Sequence, residues 1–510
     1  MNTEAAVVKA QVVVDEAWEA VKNAQRSLDN AQRSLDSWLG GNPNDFGDTY
    51  RHLKEALKEA REALKEREEF YLRIREAPSH EQSASNASDQ TAEPTGPLID
   101  LTSTGILEFL KTQMNDSAKF HTVPHLLSPS NLEFQLSGRD MALKVAADCM
   151  NKIAKPVSET TKADRKIPVC AGLSGLGKSR MLEEWENIFD LAKINGPRLG
   201  ALVLYYNGHK PHVIEGSMTI EASFSWRLLH RLFIEENGVE FRKWFNECLP
   251  QNGAQLQLGM ALEVIREKSI EIGISTSEEP LQLFLGVDEY QSIKDVNGIR
   301  VGTNEDGTKE ELLQDLLNVL SDIMASPVDG IRIYPMFAGT DLSAISIVNS
   351  SKTEVLRLPM LLLAPTDIET AVSSVAYGPS LLMQSPVRRH LFYLGGVPRW
   401  CFEYISLLLQ KIDQTGNDIL PIEDIEQAFK TIKSSYIRKW GKGLADVDFI
   451  KLAAFSVAGV PVDDSDKVVG GMTWARVEDS SLCLLTDDSE VLIPYAIFHR
   501  IGRFIPGQVN

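Results

Sequence analysis

The spacing of apolar residues changes several times along the chain, and each change predicts a different element. From Val7 through Ala10, Val14, Ala17, Val21, Ala24, Leu28, Ala31, Leu35 and Trp38 the apolar positions step by alternating threes and fours, which keeps one stripe on a single helix face. Within that stretch Asn23 to Asp29 recurs unchanged as Asn30 to Asp36. Gly40-Gly41-Asn42-Pro43-Asn44 interrupts the pattern with turn residues. A second stripe, Leu53, Leu57, Ala60, Leu64, Tyr71 and Ile74, predicts a helix from about Asp48 to Glu76. Residues 1–77 therefore read as a coiled-coil-like helical hairpin. Two helices alone bury little surface, so the hairpin is either a spacer or an arm for docking a protein partner or a second copy. Pro78 to Pro97 is rich in Ser, Ala, Gln, Asp and Thr without apolar period and reads as a flexible linker.

Beyond the linker, short apolar runs alternate with helical periods. Runs at Ile167–Cys170, Gly200–Tyr206, Leu281–Val287, Ile331–Thr340 and Val355–Ala364 predict five strands. Helical spacing is found around Thr104–Met114, after Asp140 through Ile153, and at Ser223–Glu236, Gly259–Ile270 and Glu310–Met324. This alternation predicts an α/β fold with a mainly parallel five-stranded sheet over residues 98–365. Pro335 argues against full hydrogen bonding if its strand is central. Residues 366–440 read as a helical lid that begins at Pro365-Thr366-Asp367, a sound helix start. Residues 441–510 combine a helical start at Val447–Val457 with strand-like runs such as Leu482–Leu485, and predict a small winged-helix-like unit.

The formal net charge of −19 argues against non-specific nucleic-acid binding by the chain as a whole. Five scattered cysteines without a CxxC argue against a zinc site or disulfide framework and for a reducing compartment. No basic segment leads into an apolar core at the N-terminus, and no run approaches ~18 apolar residues, so neither a secretory signal nor a membrane span is expected. The expectation is an intracellular protein, cytoplasmic or nuclear.

The chemistry concentrates at Gly172-Leu173-Ser174-Gly175-Leu176-Gly177-Lys178-Ser179-Arg180, which fits G-x-x-x-x-G-K-[ST] between a predicted strand and a predicted helix. Loop amides and the helix N-terminus can face phosphates, and Gly172, Gly175 and Gly177 let the backbone approach them. Lys178 would neutralise phosphate charge, Ser179 would place a hydroxyl on Mg²⁺, and Arg180 extends the same segment. The apolar strand ending in Asp288-Glu289 would supply a metal-shell carboxylate, Asp288, and in Glu289 a residue able to orient or deprotonate the attacking water. These two motifs together predict a P-loop NTPase that binds ATP with Mg²⁺.

Three weaker motifs complete the set. Gly138-Arg139-Asp140 before a helix resembles the N-terminal box of AAA+ and STAND ATPases, which implies a place near the adenine. Thr340 ends its strand where AAA+-like enzymes place a γ-phosphate sensor. The turn Gly395-Gly396-Val397-Pro398-Arg399 resembles the second sensor in the lid of STAND and origin-recognition-type ATPases, with Arg399 reaching phosphate. A strand inserted between the glycine-loop strand and the Asp-Glu strand is typical of the glutamate-bearing class.

Taken together, these motifs resemble the NTPase module of Crinkler effectors and retrotransposon hot spot proteins, over about residues 98–505. The resemblance implies an ATPase coupled to an effector, often a nuclease, that acts in a host nucleus after secretion. Two departures stand out: the chain starts with a coiled-coil hairpin, and its end carries no clear nuclease carboxylate–lysine constellation, so nuclease activity is not assigned. The leading expectation is Mg²⁺-dependent ATP hydrolysis driving a conformational switch, with Lys178, Glu289, Thr340 and Arg399 acting on the phosphates. The other is a nucleotide-holding scaffold that recruits a protein partner through the hairpin. Nucleic acid enters as a partner by resemblance only, against the acidic balance, and a homo-oligomer is compatible with either reading.

Overall fold

A computed structural model describes residues 96–113, 120, 134–161, 164–206, 209, 211, 215, 218–234, 239–293, 312–340, 354–440 and 446–458, with shorter stretches between 461 and 493. The hairpin expected over 1–77 and nearly all of the linker expected over 78–97 lie outside the described residues.

In chain order the helices are α1 (Ser103–Gln113), α2 (Asp140–Ala154), α3 (Lys178–Glu183), α4 (Trp185–Leu191), α5 (Ile220–Phe233), α6 (Phe241–Cys248), α7 (Leu258–Glu271), α8 (Leu312–Ala325), α9 (Pro365–Ser373), α10 (Gly378–Met383), α11 (Ser385–Tyr393), α12 (Pro398–Thr415), α13 (Ile422–Trp440) and α14 (Asp446–Ala458). The strands are β1 (Ile167–Ala171), β2 (Arg198–Leu204), β3 (Leu281–Asp288), β4 (Ile331–Gly339), β5 (Val355–Arg357), β6 (Lys467–Val469), β7 (Met472–Thr473), β8 (Leu484–Leu485) and β9 (Val491–Leu492).

Five strands form one parallel sheet in the order β2-β3-β4-β1-β5. Strands β1 and β3 are buried along their whole length, which is why each reads as an unbroken apolar run and not as an alternation. The register pairs Ala171 with Gly339 and Asp288 with Ala338, so the C-terminal ends of β1, β4 and β3 finish side by side on one edge. Three segments far apart in sequence thus share an edge, the usual place for a ligand in an open parallel sheet. Strand β4 lies between β1 and β3, the inserted strand expected from the motifs.

Two expectations change. Pro335 does sit in a central strand, opposite Leu285 of β3. The pairing with β1 begins only at Phe337, so the missing N–H falls below the stretch where both neighbours are paired. The last strand is confined to Val355–Arg357, because Pro359 follows at once. The apolar residues after it serve packing: Leu358 and Met360 join the sheet core, while Leu363 joins the core of the helices that follow.

Among the described residues the apolar side chains form three cores. The largest wraps the sheet and α1 to α8, a second lies among α9 to α13, and a small third joins α14 to Trp474, Val477 and the β8-β9 ladder. Of the expected winged-helix-like unit, the described residues show α14 and two short antiparallel ladders, β6-β7 and β8-β9. No described helix is long and apolar enough to cross a membrane.

Candidate functional site

The loop between β1 and α3 is built from residues whose backbones turn left-handed: φ is 124° at Gly172, 89° at Gly175 and 89° at Gly177. An L side chain is strained in that region, and at Gly175 a Cβ would also run into the Cβ of Arg399, 2.9 Å away. Glycine at 175 therefore serves both the turn and a close approach. The residue it admits stands at the start of α12, a helix whose buried face lies in the second core.

Lys178 is buried and folds back over the loop, its Nζ donating to the carbonyls of Gly172 (2.8 Å) and Leu173 (2.7 Å). Burial drives its ammonium down from 10.5 to about 8, against the pull of Glu289 and Asp288, with Arg399 adding repulsion. The Ser179 hydroxyl favours the ionised form of the Asp288 carboxyl. The Asp288 carboxyl is raised from 3.8 to about 6, chiefly by burial and further by Glu289, while the Ser179 hydroxyl opposes the shift.

Glu289 leaves the end of β3 with φ of 57°, a left-handed backbone for a residue other than glycine. Its N–H donates to Asp288 Oδ1 (3.1 Å), so the chain curls back on itself at the strand end. The Glu289 carboxylate accepts from Gln291 Nε2, and Gln291 Oε1 in turn accepts from the Thr340 N–H (3.2 Å). Thr340 thereby reaches Glu289 through one intervening amide. Tyr206, just past β2, faces the same acids. Burial raises its hydroxyl to about 12, reinforced by Asp288 and Glu289.

Arg399 caps the loop from above. Its backbone N–H donates to the Gly175 carbonyl (3.1 Å) and its Nη1 donates to Ser174 Oγ (3.4 Å). The Gly395-Gly396 turn that precedes it has φ of 66° and 76° and is tied to the chain leading into α9 by Leu363 N–H to Gly396 O (2.8 Å). From below, Arg139 holds the loop: it is buried and donates through Nη2 to the Leu176 carbonyl (2.7 Å) and through Nη1 to its own neighbour Gly138 (2.9 Å). A Cβ at Gly138 would collide with the Asp367 carboxylate at the start of α9, so this segment also abuts the helices that follow the sheet. Phe134, shortly before it, stacks on Phe402 of α12 at 4.2 Å.

The structure thus gathers Gly172, Gly175, Gly177, Lys178, Ser179, Asp288, Glu289, Thr340 and Arg399 at one edge. Arg180 points elsewhere, into ion pairs with Glu183 (3.2 Å) and Glu184 (2.8 Å) one turn along the helix. Arg139 touches the loop's backbone from beneath. Sequence reading gave no role to Gln291, Ser174 or Tyr206; Ser174 lies inside the glycine-loop motif, and no functional motif marks the other two.

The side chains fit a hard divalent cation. Ser179 and Asp288 provide a hydroxyl and a carboxylate that act on each other, the small oxygen set Mg²⁺ takes when phosphate and water complete its shell. Among the described residues no group of three or more His, Cys, Asp or Glu is arranged to hold a metal by itself.

Burying the Asp288 charge has a measurable consequence. Holding a carboxyl at about 6 against its ordinary 3.8 corresponds to roughly 3 kcal/mol. The folded state binds the proton more tightly, so this residue's contribution to stability is fullest below pH 4 and is lost as pH rises through about 6. Asp288→Asn is expected to raise the melting temperature at pH 7 by a few degrees and to flatten the pH dependence between 4 and 6, read by calorimetry without nucleotide.

No family model matches the chain, and no curated protein matches it. Among solved structures it is similar to the ORC2 protein of Aeropyrum pernix, at 14% identity and a TM-score of 0.41, over 75% of this chain and 97% of that one. It is similar to the ORC1 protein of Aeropyrum pernix in complex with DNA, at 12% identity and a TM-score of 0.36, over 76% and 98%. A RuvB mutant of Thermotoga maritima gives 12% identity and a TM-score of 0.32, over 72% and 96%.

Proposed function

We propose that the chain is an Mg²⁺-dependent P-loop ATPase of the AAA+/STAND-like class, in which ATP binding and hydrolysis switch the lid against the core. The observation that carries this reading is the convergence at one sheet edge of Lys178 and Ser179, Asp288 and Glu289, Thr340, and Arg399. In this reading the amides of Gly172 to Ser179 cradle the phosphates, and Lys178 leaves the loop carbonyls to pair with them. Ser179 and Asp288 would hold Mg²⁺, which supplies phosphate charge neutralisation when bound. Glu289 orients the attacking water and takes its proton. Thr340 and Arg399 read the γ-phosphate from the sheet and from the lid. Arg139 contributes from beneath by fixing the Leu176 carbonyl, with Gly138 giving it room against Asp367.

The same reading divides the described chain into an NTPase core (98–365), a helical lid (366–440) and a C-terminal unit (441–510), in line with its three separate apolar cores. Its finer form, an intracellular switch within an effector like the Crinkler and retrotransposon hot spot proteins, rests on the motif set alone. The hairpin at 1–77 would then be the arm that recruits a protein partner or a second copy. The test is phosphate release from ATP by the full chain. Release that requires Mg²⁺ and stops with EDTA is expected. ATP bound without release, alone and with added partners or nucleic acid, would leave a nucleotide-holding scaffold in its place.

A further inference from the structure

The reading above leaves the Gln291 side chain without a role, yet its amide is used at both ends. Its Nε2 donates to Glu289 Oε2 and its Oε1 accepts from the Thr340 N–H (3.2 Å). Gln291 sits in the short 3₁₀ turn Tyr290–Ile293 that follows β3, and the turn is closed by Ser292 N–H to Glu289 O (2.9 Å). The place it occupies is kept open by the neighbouring strand. A Cβ at Gly339 would collide with Gln291 Oε1 and with the Tyr290 ring, so only glycine there lets the amide reach Thr340. The amide therefore joins the carboxylate at the end of β3 to the backbone at the end of β4.

We infer that Gln291 is a positioning residue that sets the direction of the Glu289 carboxylate and couples it to the Thr340 end of β4. The inference rests on Glu289 acting on water in ATP hydrolysis. Glu289 has three side-chain torsions beyond its left-handed backbone, and one oxygen held by a fixed N–H donor removes most of that freedom. Because the donor is itself held by Thr340, a shift of the β4 end that follows phosphate contact moves the amide and, with it, the carboxylate. The two halves of the amide separate cleanly by substitution. Gln291→Leu removes both bonds at similar size. Gln291→Glu keeps an oxygen to accept from Thr340 but offers Glu289 a second carboxylate in place of a donor.

The test compares wild type, Gln291→Leu, Gln291→Glu and Glu289→Gln as full chains. Three quantities are read: kcat, the Kd for a non-hydrolysable ATP analogue, and deuterium uptake at the Thr340 amide. Both Gln291 variants are expected to lose at least about tenfold in kcat, the usual size for a displaced catalytic group, with Kd within about twofold. Uptake at Thr340 should rise in Gln291→Leu and stay near wild type in Gln291→Glu. Wild-type kcat in either variant, while Glu289→Gln is inactive, overturns the inference and leaves the ATPase reading standing. Loss of analogue affinity in parallel with kcat also overturns it, since that is the mark of a general structural role. If wild type shows no turnover that depends on Glu289, the ATPase reading fails and the inference falls with it. Unchanged Thr340 uptake in Gln291→Leu removes the coupling by itself.

Discussion

Glu289→Gln is expected to bind ATP and Mg²⁺ as wild type does and to lower kcat by roughly 10²- to 10⁴-fold, the range for removing a general base. The substitution keeps size and hydrogen-bonding reach but removes the proton acceptor. It also lowers the negative charge facing Lys178 and Asp288, each of which senses the Glu289 carboxylate. Affinity for ATP should therefore be unchanged or somewhat higher, because one of the charges repelling the phosphates is gone. Single-turnover hydrolysis alongside equilibrium binding of the same nucleotide checks both halves. A variant that loses binding together with turnover would place Glu289 among the residues that shape the pocket.

Lys178→Ala acts on the other side of that division. Truncating a buried, hydrogen-bonded charge that meets an opposite one costs about 2–5 kcal/mol, so ATP affinity should fall from about 30-fold to more than 1,000-fold. The empty protein should tolerate the change. Its ammonium is held at about 8 mainly by burial, so removing it relieves a desolvation cost even as the carbonyls of Gly172 and Leu173 lose their donor. The same depression predicts a pH effect. The form that pairs with phosphate is the protonated one, so above about pH 8 the free protein must take up a proton in order to bind. Affinity should then decline by up to tenfold per pH unit in wild type and stay flat in Lys178→Ala. Titration calorimetry in buffers of different ionisation enthalpy reads the proton uptake directly.

The elements legible in the sequence were those whose cause is local. Leu281–Asp288 is buried on both faces and is apolar almost throughout, and the glycine loop announces itself because its turns need glycine at fixed places. Strand order was legible only as a class, since which strands neighbour each other is decided by long-range packing. The short helix α6 was not read at all: its buried face is only Phe241, Trp244 and Phe245, too little period to separate it from the surrounding chain. Arg180 shows the opposite failure. The motif drew it toward phosphate, while Glu183 and Glu184 at three and four residues on, the spacing of helical ion pairs, were in plain view. Gln291 could not have been found locally, because one of its partners, Thr340, comes from another strand. Arg139 was located by its motif, but only the fold revealed that it grips the loop's backbone.

The bond between the Arg399 N–H and the Gly175 carbonyl joins main chain to main chain, so no change of side chain at 399 other than proline removes it. It pins the first turn of α12, a helix of 18 residues and therefore about 27 Å long. If nucleotide moves this helical region as proposed, such a helix is a lever with its fulcrum at the glycine loop. A 10° tilt would sweep its far end, near Thr415, through roughly 5 Å, carrying with it the α13 surface packed alongside. In that reading, a displacement smaller than an atom at the loop becomes a change of shape large enough for another molecule to feel.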